Sequence, residues 1–316
     1  MTIGTVFDKN AGFAAGQSQV LGFGKDTGID SRTYGAPGAK IFYVDPNNPQ
    51  AVDLGNLGED PIVPLATVQA AVNLCRDHQG DTIVVGGNDR WIYSPGNRPT
   101  PVVESLVIPF TKGGIRLLGA ASNPMGVLWL PEDDNDACIT VRAVDVYIEG
   151  FAFDATTTAN NAGIVSEYGT GKYGDNLTVV NCYFSDDLDI GIGLDFAWYC
   201  HIRNCYFDDV AVGAIVNLNV TGDPDYLTVT GCQFMNAALA MSLPDSDWCF
   251  IHSNLLYGDP AGTNNFIDLT GATTCLVTDN YLACSIAQYD VTCSDATSGA
   301  WVFNHCIDGN PVANPV

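Results

Sequence analysis

Carboxylates are the commonest reactive side chains in this 316-residue chain, so their spacing is where chemistry is sought first. Asp186-Asp187 and Asp208-Asp209 lie one repeat apart, with Asp189 close by. Counting five residues beyond each repeat's turn gives a column Asp186, Asp209, Asn236. Two carboxylates about 5–9 Å apart in a groove can hydrolyse a glycosidic bond, one as acid and the other as base or nucleophile. Oxygen donors stacked at about 4.8 Å can instead collect a hard cation such as calcium, or raise one another's pKa. Loop acids splayed into water are the plainer alternative. The catalytic candidates are therefore Asp186, Asp187 and Asp209, and the metal candidates Asp186, Asp209 and Asn236. Tyr168, Tyr173, Trp198 and Tyr199 offer flat rings to a carbohydrate, or to an interface or a packed loop.

Other chemistries find less support. His201 and His252 fall on outward positions of their strands and His305 in the last repeat. No Ser or Cys pairs with them at a spacing that suggests nucleophilic catalysis. The 11 cysteines contain no Cys-x-x-Cys pair, and Cys182, Cys205 and Cys232 recur at one place in successive repeats. That pattern predicts buried, reduced thiols packing as small apolar groups. Gly191-Ile192-Gly193 lacks the strand-to-helix setting of a phosphate loop.

The elements that must position these residues come from a repeat. Val146–Phe153, Leu177–Phe184, Cys200–Phe207, Leu227–Phe234 and Cys249–Leu256 share one pattern of alternating apolar positions, a small turn residue and a large apolar residue. Cys275–Leu282 and Val302–Ile307 follow more loosely. The turn marks Gly150, Asn181, Asn204, Gly231, Ser253, Asp279 and Asn304 are 31, 23, 27, 22, 26 and 25 residues apart, and Gly119 and Gly86 extend the series backwards. Alternation puts every second side chain on one face, and a circuit of this length returns the chain to the same point one strand spacing higher. The fold expected is an all-β, right-handed parallel β-helix of about nine coils. Phe153, Phe184, Phe207 and Phe234 would stack inside it, continued by Leu256, Leu282 and Ile307. Turn asparagines would hydrogen-bond along their column.

Both ends of such a stack need cover. In Pro64–Arg76 the residues Leu65, Val68, Val72 and Cys75 share one helical face, which predicts an N-terminal capping helix. At the other end Trp301 and Phe303 are the candidates to close the last coil, and the tail 310–316 is short for a lid. The chain divides into an extended arm over 1–40, an entry strand and capping helix over 41–80, and the β-helix over 81–316.

Charge is divided too. Residues 1–120 hold nine Lys/Arg against eleven Asp/Glu, a net of −2, whereas 121–316 hold three against twenty-five, a net of −22. A surface this acidic repels nucleic acid and anionic membranes, and the near-neutral first third is better suited to docking on protein. No stretch approaches the roughly 18 apolar residues of a membrane span, and the start Met1–Thr5 has no signal-peptide character, so synthesis in a host cytoplasm is expected.

Ile41-Phe-Tyr-Val-Asp45, then Pro64-Leu-Ala-Thr-Val-Gln-Ala-Ala-Val72, then Gly80-Asp-Thr-Ile-Val-Val85 give an order of strand, lid helix and strand. Here the chain resembles pectin-lyase-like right-handed β-helix proteins, and with the coils the resemblance covers roughly 41–310. It implies the fold, while the superfamily mixes lyases, hydrolases, epimerases, adhesins and phage tailspikes. Of the polygalacturonase-like motifs only Asp-Asp is present, at Asp186-Asp187 and Asp208-Asp209. Asn-Thr-Asp, His-Gly and Arg-Ile-Lys are absent. An arm of about forty residues ahead of a β-helix is similar to virion proteins of tailed phages, where such a segment anchors a trimer to capsid or tail. The expectation is a non-enzymatic virion protein without a cofactor, homotrimeric, bound to a capsid or tail protein through residues 1–40. The alternative is a tailspike-like protein that binds a glycan or degrades it as a polysaccharide hydrolase or lyase.

Overall fold

The structure, a computed structural model, describes residues 38–86, 101–120, 127–157, 160–167, 174–219, 223–236, 239–257, 266–283, 293–295 and 300–306. Short strands of two to five residues dominate it, because each apolar alternation runs for only four or five residues before a residue with left-handed φ turns the chain. Equivalent strands then pair in parallel, coil upon coil, into three sheets of ten, nine and eight strands. The first sheet runs from Ile41–Val44 to Ala300–Val302, the second from Val102–Val103 to His305–Cys306, and the third from Leu106–Ile108 to Cys293–Asp295. Each strand pairs with strands one circuit away in sequence, which defines a parallel β-helix.

The core is a set of columns running along the axis. In the first sheet Phe42, Ile83, Leu117, Ile148, Val179, Ile202, Val229, Ile251, Val277 and Trp301 stand in register, all buried. In the second, Phe153, Phe184, Phe207 and Phe234 stack with ring centroids 5.2, 4.7 and 4.9 Å apart, as their sequence spacing predicts. Leu256 and Leu282 continue the column, but its next member is Cys306, one residue before the Ile307 expected. The slip has a cause. The left-handed turn residue of that coil is Phe303 at φ 58°, and Asn304, assigned to the turn by its type, lies one place further on and is buried. Phe303 is correspondingly exposed, so of the two residues expected to close the last coil only Trp301 packs inside.

Asn304 belongs to an interior ladder. Each amide oxygen of Asn254, Asn280 and Asn304 accepts from the backbone N–H of the coil before it, at 2.9–3.0 Å. The oxygens of Asn280 and Asn304 also accept from the preceding amide group at 3.0 Å, and every Nδ2 donates to a main-chain carbonyl. Asparagine does hydrogen-bond along a column, then, but at the position after the turn. In earlier coils that position holds Cys182, Cys205 and Cys232, buried and free like the other described cysteines. Burial pushes the Cys205 thiol well above its usual value, as expected of an inert core thiol. Gly119, expected as a turn mark, lies inside the strand Arg116–Ala120, and space is what requires glycine there: a Cβ on it would stand 2.2 Å from the Gly150 carbonyl oxygen.

Helix α1, Val68–Leu74, lies over the first coil and packs against Leu106–Ile108, Ile41–Val44 and Thr82–Gly86. Thr67 caps it, and the Glu104 carboxylate accepts from the N–H groups of Val68 and Gln69, so the helix dipole meets a negative charge. Leu65, expected within the helix, instead bridges to Val44 just ahead of it. Asp81, fully buried, ties this end together: its carboxylate accepts from the Arg76 guanidinium at 2.6 and 3.1 Å and from the N–H groups of Lys40 and Arg76.

Candidate functional site

Two surfaces stand apart from the repetitive remainder. The first is the N-terminal end of the rod. The loop between the entry strand and α1 turns Leu54, Leu57 and Ile62 outward, with Leu54 94% exposed. Lys40, bonded to Glu59, and Arg76 lie at the same end, so its charge is mixed. The arm 1–40 reaches this end at Lys40, and its first 37 residues lie outside the described residues.

The second surface is the corner that precedes each strand of the first sheet. There Asp145, Asn176, Tyr199, Tyr226, Trp248 and Thr274 occupy one left-handed position per coil, with φ between 57° and 61°. Backbone bonds run straight up this corner, from Tyr199 N–H to the Asp225 carbonyl and from Tyr226 N–H to the Asp247 carbonyl. The rings are thereby stacked on the outside: Tyr199 and Tyr226 with centroids 4.7 Å apart, Tyr226 and Trp248 at 6.2 Å with planes within 9°. A coil rises only about 4.8 Å, so Trp248 is slid sideways by roughly 4 Å and leaves part of its indole face uncovered. Tyr199, Tyr226 and Trp248 are 47%, 40% and 54% exposed.

Carboxylates flank the ladder. One residue before Asn176, Tyr226 and Trp248, the carboxylates of Asp175, Asp225 and Asp247 accept the backbone N–H of Trp198, Asp247 and Thr273 in the next coil. Burial raises the Asp175, Asp223 and Asp225 carboxyls above their ordinary values. Neighbouring charges add to it, from Asp145 for Asp175, from Asp245, Asp225 and Asp247 for Asp223, and from Asp247 for Asp225. The backbone bonds to Asp175 and Asp225, and the Asn217 amide beside Asp223, oppose the rise. This corner thus joins a row of rings to a row of mutually repelling acids, and Arg203 stands at the far end of the strand His201–Arg203 that follows Tyr199. Trp198, one of the residues singled out by sequence, lies beside the ladder and donates from its indole to the Asp223 carbonyl at 3.2 Å.

The remaining candidates lie on the edge of the second sheet. Asp209 and Asn236 occupy equivalent left-handed positions at φ 49° and 53°, their N–H groups bonded to Met235 and Tyr257 carbonyls of the following coils. Asp186 does not share that conformation, because its strand ends at Phe184 and the chain turns over 186–187. Tyr183, stacked on Tyr206 at 5.5 Å, donates to the Asp208 carboxylate at 3.0 Å. Its phenol is raised by burial and by the Asp208 charge, with Asp186 adding to it. Asp187 and Asp189 sit on the loop beside Asn160 and Asn161. Two flank carboxylates and one amide are a poor set for calcium, which takes six to eight oxygens. Among the described residues no three His, Cys, Asp or Glu side chains converge as metal ligands. Burial, helped by Arg203, lowers the pKa of His201 and so favours the neutral ring. Tyr168 and Tyr173 lie outside the described residues.

Tyr226 and Trp248 escaped the sequence reading, although a signal existed. Tyr226 follows Tyr199 by 27 residues and Trp248 follows Tyr226 by 22, the same steps that separate Asn204, Gly231 and Ser253.

No protein-family profile and no curated protein matches this sequence. Solved structures do. A GH136 lacto-N-biosidase from Eubacterium ramulus has a TM-score of 0.54 at 10% identity, over 84% of this chain and 56% of that one. ORF18 of Geobacillus virus E2 has a TM-score of 0.44 at 12% identity, over 84% and 60%. A rhamnogalacturonan lyase has a TM-score of 0.47 at 15% identity, over 78% and 70%. The chain spans 60% or less of the length of the first two. Similarity at this level is one of fold. Together with the three parallel sheets it makes the fold a parallel β-helix.

Proposed function

We propose that the chain is a non-enzymatic structural protein of a phage-like virion. In this reading it is a decoration or fibre protein held to capsid or tail at its N-terminal end, with its acidic coils projecting into solvent. The observation that carries the reading is the axial division of the rod. Exposed Leu54, Leu57 and Ile62 and a near-neutral charge mark the end where the arm enters, and a net of −22 marks the coils beyond residue 120. Apolar exposure of this kind suits a protein interface, and dense like charge keeps a projecting shaft soluble and apart from its neighbours. Anchoring as a symmetric trimer would add avidity to weak individual contacts.

The test is incorporation. Particles purified from cells producing the full-length chain should carry it, and a chain lacking residues 1–40 should be lost from the particles while keeping its β-rich circular dichroism. Equal incorporation of both would overturn the anchoring reading. The competing reading is a glycan-degrading spike acting through Asp186, Asp187 and Asp209. It requires that the full-length protein cleave a capsular polysaccharide and that Asp186→Asn or Asp209→Asn abolish the cleavage.

A further inference from the structure

We propose that the corner ladder of Tyr199, Tyr226 and Trp248 is a binding strip for an uncharged oligosaccharide, with the indole face of Trp248 as its stacking platform. Nothing in the fold asks for rings at this corner. The same position carries Asp145, Asn176 and Thr274 in other coils, and left-handed φ favours small or amide side chains over aromatic ones. The interior already holds its own phenylalanine column, so these rings are not core that failed to fit.

Geometry says which part of the ladder is usable. Tyr199 and Tyr226 cover one another's faces, with centroids 4.7 Å apart and planes within 16°. Trp248 ends the ladder: it is displaced from Tyr226, the next coil offers Thr274 in place of a ring, and it is the most exposed of the three. The C–H face of a pyranose, carrying slight positive charge, fits the negative face of an indole.

Charge then chooses the sugar. Asp223, Asp225, Asp245 and Asp247 crowd the same corner closely enough to repel one another. The chain has no Lys or Arg beyond Arg203. Carboxylates are acceptors only, matched to the hydroxyl donors of a sugar, and Asp225 and Asp247 are already fixed through Oδ1 to the next coil's N–H groups. A uronate, sialylated or sulfated chain would meet like charge along this row, and so would nucleic acid. An extended peptide needs donors as well as acceptors along its length, which the acid row does not supply.

The experiment uses the full-length protein at low salt on an array of neutral hexose and N-acetylhexosamine oligosaccharides, with uronate-bearing and sialylated ones on the same slide. Neutral glycans should be captured and acidic ones not. Trp248→Ala should weaken capture tenfold or more, and Trp248→Phe should keep it within a few-fold at an unchanged melting temperature. Capture of acidic glycans alone, no capture of any neutral one, or undiminished capture by Trp248→Ala would overturn the proposal. A lower solution mass for Trp248→Ala would also overturn it, by showing that a second copy covers the ladder. Particle incorporation of Trp248→Ala should be normal, which separates failure here from failure of the anchoring reading.

Discussion

At the scale of single residues the protein separates buried polar groups that must be paired from acids whose carboxyls burial and like charge raise. Asn280 is the clearest of the first kind, its side chain accepting two hydrogen bonds and donating two, to the Ile251 carbonyl and the Asn304 amide oxygen. Asn280→Leu would strand the Asn254 amide groups, and each unpaired buried group costs about 1–3 kcal/mol. The expected result is a lower denaturant midpoint in circular dichroism, with Asn254→Leu similarly harmful. Asp81 and Asp223 respond oppositely to acid. At Asp81 burial favours the neutral form, but the Arg76 guanidinium and the N–H groups of Lys40 and Arg76 outweigh it and hold the carboxyl below its ordinary value. The folded state therefore favours the charged form, and this stability is lost as pH falls below the unfolded pKa, near 3.9, towards the folded one. Asp175, Asp223 and Asp225 are raised, so folding binds their protons and stability is gained as pH falls through the folded pKa values. Melting temperature should rise on mild acidification and collapse at stronger acid. Asp223→Asn should flatten the rise and Asp81→Asn should lower stability most at neutral pH. A curve that falls steadily from pH 7 would contradict this account.

At the scale of the element, the unit is a column rather than a strand. Strands of two or three residues have little stability alone, and what holds them is register with the coil on either side. Phe207 touches both neighbours of its stack and lies against Gly191, where a Cβ would come 2.8 Å from the ring. Phe207→Ala should cost about 3–5 kcal/mol. Hydrogen exchange should show lost protection concentrated in the coils of Phe184, Phe207 and Phe234, and near-native protection around Leu117. These columns were legible in the sequence because apolar alternation and a turn residue recur together. What misled was residue type. Asn304 looks like a turn residue and Phe303 does not, yet Phe303 takes the left-handed φ and Asn304 serves the buried ladder. In the proposed Asp186, Asp209, Asn236 column the last two share a left-handed conformation that Asp186 lacks: counting five residues from a turn assumes that every strand ends alike, and the strand at Tyr183–Phe184 is one residue shorter than Tyr206–Asp208. The aromatic ladder stayed hidden because its members precede the repeat pattern instead of belonging to it.

For the whole molecule the relevant quantities are net charge and association. A −24 chain with its acids gathered in the distal coils repels itself, so added salt should raise the melting temperature until screening saturates, at a Debye length of about 8 Å near 0.15 M. Light scattering of the full-length protein should give about three times 33.6 kDa. If cations hold acidic coils together, EDTA should dissociate that species. A monomer indifferent to EDTA would remove the trimer and leave avidity out of the anchoring scheme.

The corners of the coil differ in how much chain they spend. Between the second and third sheets the connection takes four residues from Asp208 to Gly213, five from Phe184 to Ile190 and nine from Tyr257 to Ile267, while the paired strands on either side keep their register. The fold accommodates a longer corner here without a shift in the columns. For an engineer the same asymmetry is an invitation. A peptide epitope spliced in after Tyr257 would leave the packed columns untouched, turning a rod that measures length in coils into a ruler carrying cargo at a chosen mark.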